Sequence, residues 1–326
     1  MKSKNGKVHS VLKFIPIENY IKKVNENTIK NKNNDVKHHF SIIFLGSLVI
    51  LLPIFVISYN EENGEEGYLA SMLLDSKLVY FNENWEIEWE YKSPVGYIGD
   101  FCQTNDSIVL GIGIEAFYYN QEYEYYLHEI NEDGETIWTF SFASIGKVGD
   151  IHDIDYIPER DSFLIASAPE NSAYEIDREG NILWEWNAAD YFTAGVGDWA
   201  HLNNIAINPD GGYIISLGYL DKLIAIDEDG AIIANMTLDL PHHPVVVNNS
   251  LVACETWNDR VVMYERDNWT MVNQWDVTRP RSLLVLDDCI VVCSTGGVAQ
   301  MVCLDYEGNV LWIKDGYYFT CEEKII

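Results

Sequence analysis

The sequence predicts an all-β protein, a six-bladed β-propeller of four-stranded blades, preceded by one N-terminal transmembrane helix. Three observations carry that prediction. One hairpin-bearing unit recurs six times, every ~40–50 residues. Apolar and polar residues alternate along the runs that flank each hairpin, so each strand has two different faces. An uncharged apolar run, Phe40 to Tyr59, precedes the first unit.

The unit is an alternating strand, an acidic turn with Gly or Asn, and a strand that ends in Trp. Its clearest copies are YEIDREGNILWEW (174–186), HEINEDGETIWTF (128–140) and VCLDYEGNVLWIK (302–314). Weaker copies are IAIDEDGAIIANM (224–236), VYFNENWEIEWEY (79–91) and VMYERDNWTMVNQW (262–275). Asp-Gly and Glu-Gly turns accept positive φ and close tight hairpins. Two further strand-like runs separate consecutive hairpins, as in HDIDYIP (152–158) and SFLIASA (162–168). Four strands per unit and this spacing are those of propeller blades. The first unit begins abruptly at Tyr68 and lacks an innermost strand. The tail YYFTCEEKII (317–326) is expected to supply it and close the ring.

Charge divides the chain. Residues 1–39 carry nine lysines against three acids, a net of +6, and the remainder carries 12 basic against 48 acidic residues, a net of -36. Such an acidic excess excludes nucleic acid as a partner of the large part. Residues 40–59 have the length of a bilayer-crossing helix, and Pro53 is tolerated in one. The apolar run is too long for a signal-peptide core. The reading is a basic cytoplasmic head (1–39), a span in the lipid bilayer (40–59), an acidic stem (60–67) and an extracytoplasmic propeller (68–326) in the cell membrane. Four Asn-x-Ser/Thr sequons, at Asn105, Asn235, Asn248 and Asn268, are compatible with that side of the membrane. The six cysteines have no CxxC spacing and read as buried small hydrophobes, with Cys289 and Cys293 left as a possible pair.

The strings GDIHDIDYI, DWAHLNNIAI, DLPHHPVVV and RPRSLLVL open the first strands of four consecutive units. They set His152, His201, His242 and Arg281 at corresponding positions. First strands line a propeller's central channel, so these side chains are expected to converge. Three imidazoles and a guanidinium suit an oxyanion such as sulfate or phosphate. Imidazole is also the commonest transition-metal ligand, so a metal site is a second reading of the same residues.

The run from His152 to Phe192, then DWAHLNNIAINPDGGYIIS, resembles the arylsulfotransferase family, especially its short prokaryotic and archaeal relatives. The carriers are the His152-Asp153 pair, the Asp-Trp-x-His-x-Asn string at 198–203 and the Trp-Glu-Trp hairpin end. That resemblance implies a six-bladed propeller whose central histidine is transiently sulfated. Sulfate would pass from a small aromatic sulfate donor to a phenolic acceptor, with no cofactor. It implies His242 as the nucleophile, with His243 as the fallback, and His152, His201 and Asn203 as substrate contacts. The family's Ser-x-Arg string reads IISLGYL here, with Gly218 at the arginine position. Arg281 is the candidate replacement.

Two other functions remain readings of the same chain. One is a catalytically inactive surface propeller that binds a ligand or protein. The other is a quinone-cofactor dehydrogenase, which needs a cluster of calcium-binding acids and amides that the sequence does not display.

Overall fold

A computed structural model describes residues 39–45, 48–54 and 67–323, apart from 73–74, 116–122, 132, 150, 296–298, 317 and 319. The chain divides into two units, Met1–Gly64 and Glu65–Ile326. In the first unit the described backbone is an antiparallel pair, His39–Leu45 with Leu48–Ile54. The transmembrane helix expected over 40–59 falls on this stretch, whose remaining residues lie outside the described set. Among the described residues no helix is long and apolar enough to cross a membrane. The span is carried forward as a proposal.

The second unit is a six-bladed β-propeller of four-stranded antiparallel blades. Blades 2 to 6 run in sequence order from strand to strand. Their innermost strands are Tyr97–Gln103, Ile151–Ile157, Leu202–Ile207, Pro241–Val247 and Pro280–Val285. Blade 1 is built from both ends of the unit. Thr320–Glu323 is its innermost strand and pairs with Gly67–Met72, placing Thr320 against Ser71 and Glu323 against Tyr68. The expected closure by the tail is therefore present, and it leaves no blade edge open on the inner side.

The outer hairpins share one local device. In five blades an Asn or Asp side chain accepts the backbone N–H four residues on: Asn82 from Glu86, Asn131 from Glu135, Asp177 from Asn181, Asp227 from Ala231 and Asp305 from Asn309. This Asx bond caps the turn, and a one-residue register shift follows it in each case. Gly134, Gly180, Gly230 and Gly308 supply the positive φ that the turn requires. The acidic turns legible in the sequence are thus an Asx-capped bulge hairpin.

The core is six wedges, one between each pair of neighbouring blades. Blades 3 and 4, for example, share Leu164, Trp186, Ile205 and Ile215, and blades 6 and 1 share Val291, Cys303, Val79 and Phe81. Hairpin-end tryptophans lock adjacent blades: Trp186 donates to the Gly230 carbonyl at 3.2 Å and Trp275 to that of Tyr306 at 3.1 Å. Each fully buried Leu, Ile or Phe contributes about 1.5–3 kcal/mol. Each wedge thus couples one blade to the next. Cys289 and Cys293 lie on one strand, Cys289–Ser294. Four residues apart at ~3.3 Å each, they are too distant to bridge.

Candidate functional site

The first strands of neighbouring blades lie side by side around the axis. Five of the six carry a bulge near the start, between Ile98 and Asp100, Ile151 and Asp153, Leu202 and Asn204, His242 and Val245, and Pro280 and Ser282. Ahead of it, Ile151, Leu202, Pro241 and Pro280 each pair with the last residue of the next strand. This fixes the true register. His152, Asn203, His242 and Arg281 are equivalent, and Gly99 takes the same place in blade 2. His201 is not: it sits two residues before Asn203, in the left-handed region at φ 53°, where Leu240 and Arg279 stand in the next two blades. The correspondence expected for His201 is corrected by the strand pairing, which spacing alone does not reveal.

Even so, His201 reaches the cluster. Its ring lies 4.9 Å from that of His152, edge to face, and 4.2 Å from that of Tyr219, stacked. Its Nδ1 is 2.5 Å from Asp198 Oδ2. Asn171 holds the loop that presents it: Oδ1 accepts the N–H groups of Trp199 and Ala200, and Nδ2 donates to the Gly197 carbonyl.

His242 is 3% exposed. Its Nδ1 lies 2.9 Å from Thr256 Oγ1 and 3.1 Å from the Leu240 carbonyl. The Thr256 hydroxyl donates to the Pro280 carbonyl at 2.6 Å. A carbonyl only accepts, and Thr256 has already committed its proton. Both contacts at Nδ1 are therefore satisfied when that nitrogen carries the ring hydrogen. Nε2 is then the lone-pair nitrogen, and it is buried with no hydrogen-bond partner. Burial first, and then the charge of Arg281, hold His242 and His152 well below the usual histidine range, so both are neutral at pH 7. His152 and His201 act on His242 in the same sense. The electrostatics thus tie Arg281 and the three histidines into one group.

Asn203 has a structural task. Its amide donates to the Pro241 carbonyl at 2.9 Å and so fixes the residue before His242, while its buried Oδ1 has no partner. Thr256 does the same for Pro280, the residue before Arg281. Asp153 ties blade to blade instead of joining the histidines. It accepts from Asn204 Nδ2 at 3.1 Å and Ile205 N at 2.8 Å, as Asp100 accepts from Ile154 N and Asn204 from His243 N. His243 belongs to a separate cavity of about 190 Å³, lined also by Asp153, Asp155 and Asn204. Its place as the fallback nucleophile is corrected by that position.

Gly218 is held by packing. A Cβ there would stand 2.6 Å from Asn203 Nδ2, 3.0 Å from Leu240 Cδ1 and 3.2 Å from His201 Cδ2. Its N–H donates to the His201 carbonyl at 2.8 Å. The side chains of Asn203, Leu240 and His201 thus leave no room beside Gly218 for a larger residue. Thr256, Tyr219 and Asn171 were not singled out from the sequence. Nothing in their local strings marks them, since each acts on a histidine of a different strand.

Among the described residues no three His, Cys, Asp or Glu side chains stand close enough to hold a metal ion. The arrangement offers the buried, unpartnered Nε2 of His242 in one cluster with a guanidinium and two further imidazoles, a pattern suited to attack on an oxyanion centre.

No protein-family model matches the chain, and no curated protein matches it in sequence. Among solved structures it is similar to a protein of unknown function from Bacteroides caccae, with 17% identity and a TM-score of 0.64 over 80% of this chain and 100% of that one. It is similar also to a functionally unknown protein from Desulfotomaculum acetoxidans, with 11% identity and a TM-score of 0.55 over 79% and 85% of the two chains. A chain of a nidogen/laminin complex matches with 9% identity and a TM-score of 0.59 over 79% and 98%. At such identities these likenesses establish the fold alone, and the chain is a six-bladed β-propeller of four-stranded blades.

Proposed function

We propose that this propeller transfers a sulfuryl group from a phenolic ester to a phenol through a covalent histidine intermediate. The observation that carries the reading is His242 Nε2, a buried nitrogen without a partner whose ring proton is held on Nδ1 by Thr256 and Leu240. A neutral imidazole in that tautomer attacks sulfur directly, with no proton to remove first. The positive charge of Arg281 acts on the same volume and opposes the charge that develops on the sulfuryl oxygens. His152 would add a donor to those oxygens.

The place taken by Gly218 favours a second reading. A forked cation is missing from the position the resemblance assigns to it, and a propeller that binds an oxyanion ligand without turning it over fits the same residues. A nitrophenyl sulfate offered with phenol separates the two. Transfer by the parent chain and its loss in His242→Ala supports the enzyme, whereas ligand binding with no nitrophenol release sinks it.

The proposal includes a cell-membrane anchor through residues 40–59, with the lysine-rich head cytoplasmic and the propeller outside. The charge asymmetry and the apolar run support it. Asn105, Asn235, Asn248 and Asn268 are all exposed, as glycan acceptors must be. Retention of the full chain in carbonate-washed membranes, and release of a chain lacking residues 1–66, is the expected result.

A further inference from the structure

We infer that Asp198 and His201 are the acid–base pair of this transfer, His201 acting through Nε2 and Asp198 positioning it. The inference rests on the sulfuryl-transfer reading above and assigns a role that the reading leaves open, the handling of the phenolic proton.

The three central histidines are not backed alike. His242 Nδ1 meets a hydroxyl and a carbonyl, both neutral. His201 Nδ1 meets a carboxylate at 2.5 Å. A carboxylate fixes the ring proton on Nδ1 and stabilises the imidazolium when Nε2 gains a second proton. Two imidazoles in one site, one with neutral partners and one with an anion behind it, divide into a nucleophile and a base. The second oxygen of Asp198 is buried and makes no hydrogen bond, so the carboxylate has no competing partner there.

Geometry holds His201 for that work. Tyr219 stacks on one side of the ring and His152 meets it edge-on. Asn171, reaching from blade 3, clamps the three residues that lead into it. The backbone at His201 is left-handed, as it is at the equivalent Leu240 and Arg279, so the repeat itself sets where this ring starts. The titratable and charged groups around His201 are Asp198, Tyr219 and His152, with His242 and Arg281 beyond them.

The step balances as follows. As the acceptor phenol attacks sulfur, its O–H proton passes to His201 Nε2 and a new O–S bond forms. The S–N bond to His242 Nε2 breaks, and its electron pair returns to that nitrogen. The imidazolium of His201 then gives the same proton to the departing phenolate oxygen of the next donor as its S–O bond breaks and His242 Nε2 bonds to sulfur.

The test compares two acceptors in the full-length protein, a phenol that is neutral at the assay pH and one already ionised. A general base contributes about 10²–10⁴-fold, and only for the acceptor that still carries its proton. With nitrophenyl sulfate as donor, Asp198→Asn and His201→Gln should lower the ratio of neutral-acceptor to ionised-acceptor rates by at least ~100-fold. Asp198→Glu should recover part of that ratio. Equal losses with both acceptors, or no loss, overturn the pair while the parent still transfers. A parent that releases no nitrophenol overturns the transfer reading and the pair together. Either variant suffices, so one that fails to fold leaves the other to decide.

Discussion

Thr256 Oγ1 and His242 Nδ1 lie 2.9 Å apart, and this bond decides which nitrogen of the histidine is left to react. The threonine hydroxyl points onward to the Pro280 carbonyl, so one side chain orients the proposed nucleophile and anchors the strand that carries Arg281. Thr256→Val keeps the shape and removes both bonds. A buried hydrogen bond of this kind is worth about 1–3 kcal/mol when one partner is lost. We expect transfer to fall ~10-fold or more in Thr256→Val and to survive in Thr256→Ser. Steady-state rates check this, and ¹⁵N shifts of the His242 ring report the tautomer directly.

Gly218 gives a prediction opposite to the one that the arylsulfotransferase resemblance suggests. Placing an arginine there should not raise the proposed activity, because its Cβ already meets Asn203 and Leu240 at 3.0 Å or less. Overpacking at a buried site costs about 1–3 kcal/mol. Gly218→Ala should lower the melting temperature by several degrees and Gly218→Arg by more. A melting curve for Gly218→Ala that overlays the parent's would contradict the packing described for this glycine.

The ring closes through four residues of the tail. Removing residues 317–326 deletes the Thr320–Glu323 strand and leaves Gly67–Met72 as an unpaired edge. Because each wedge of core is shared by two blades, the damage spreads beyond blade 1. The truncated protein is expected to lose its single cooperative transition in thermal denaturation followed by circular dichroism. Parent-like melting would refute closure as the source of stability.

The second cavity has a pH signature. Burial pushes Asp155 up to about 6 and His243 down to about 4. In the unfolded chain these groups titrate near ~3.9 and ~6.5. For Asp155 the folded state binds its proton more tightly, so the contribution is full below ~4 and is lost as pH rises toward 6. For His243 the folded state binds less tightly, so the contribution is full above ~6.5 and is lost as pH falls toward 4. The two oppose each other across one window. Relative to the parent, Asp155→Asn should steepen the loss of stability on acidification, while Asp153, also raised by burial, keeps its own contribution. His243→Gln should flatten that loss relative to the parent, with His152 and His242, also held down by burial, left in place. Urea unfolding of parent and variants at several pH values between ~4 and ~6.5 measures both differences, and changes of the same sign would count against this account.

Much of the fold is written locally. An Asx residue with a glycine three places on makes the hairpin from short-range chemistry in four blades, Asn82 makes a fifth without a glycine, and six hairpins in all make six blades. Period-two alternation places the core faces, and an incomplete first unit with a spare final strand implies closure. The positions of His152, His242 and Arg281 follow from the repeat, because equivalent residues of a closed ring meet at its axis.

Only the tertiary structure decided the register, the tautomer and the room for a side chain. His201 stands two residues before Asn203, the true counterpart of His152, so spacing placed His201 where Asn203 stands. The working nitrogen of His242 depends on a threonine 14 residues away and on a carbonyl of the next blade. The fit of Gly218 depends on Asn203 and Leu240, which reach it from another strand and another blade. Sequence determines what a segment can form by itself, the repeat and its hairpins. Contacts between blades decide which of those residues touch, and the chemistry of the centre is made of such contacts.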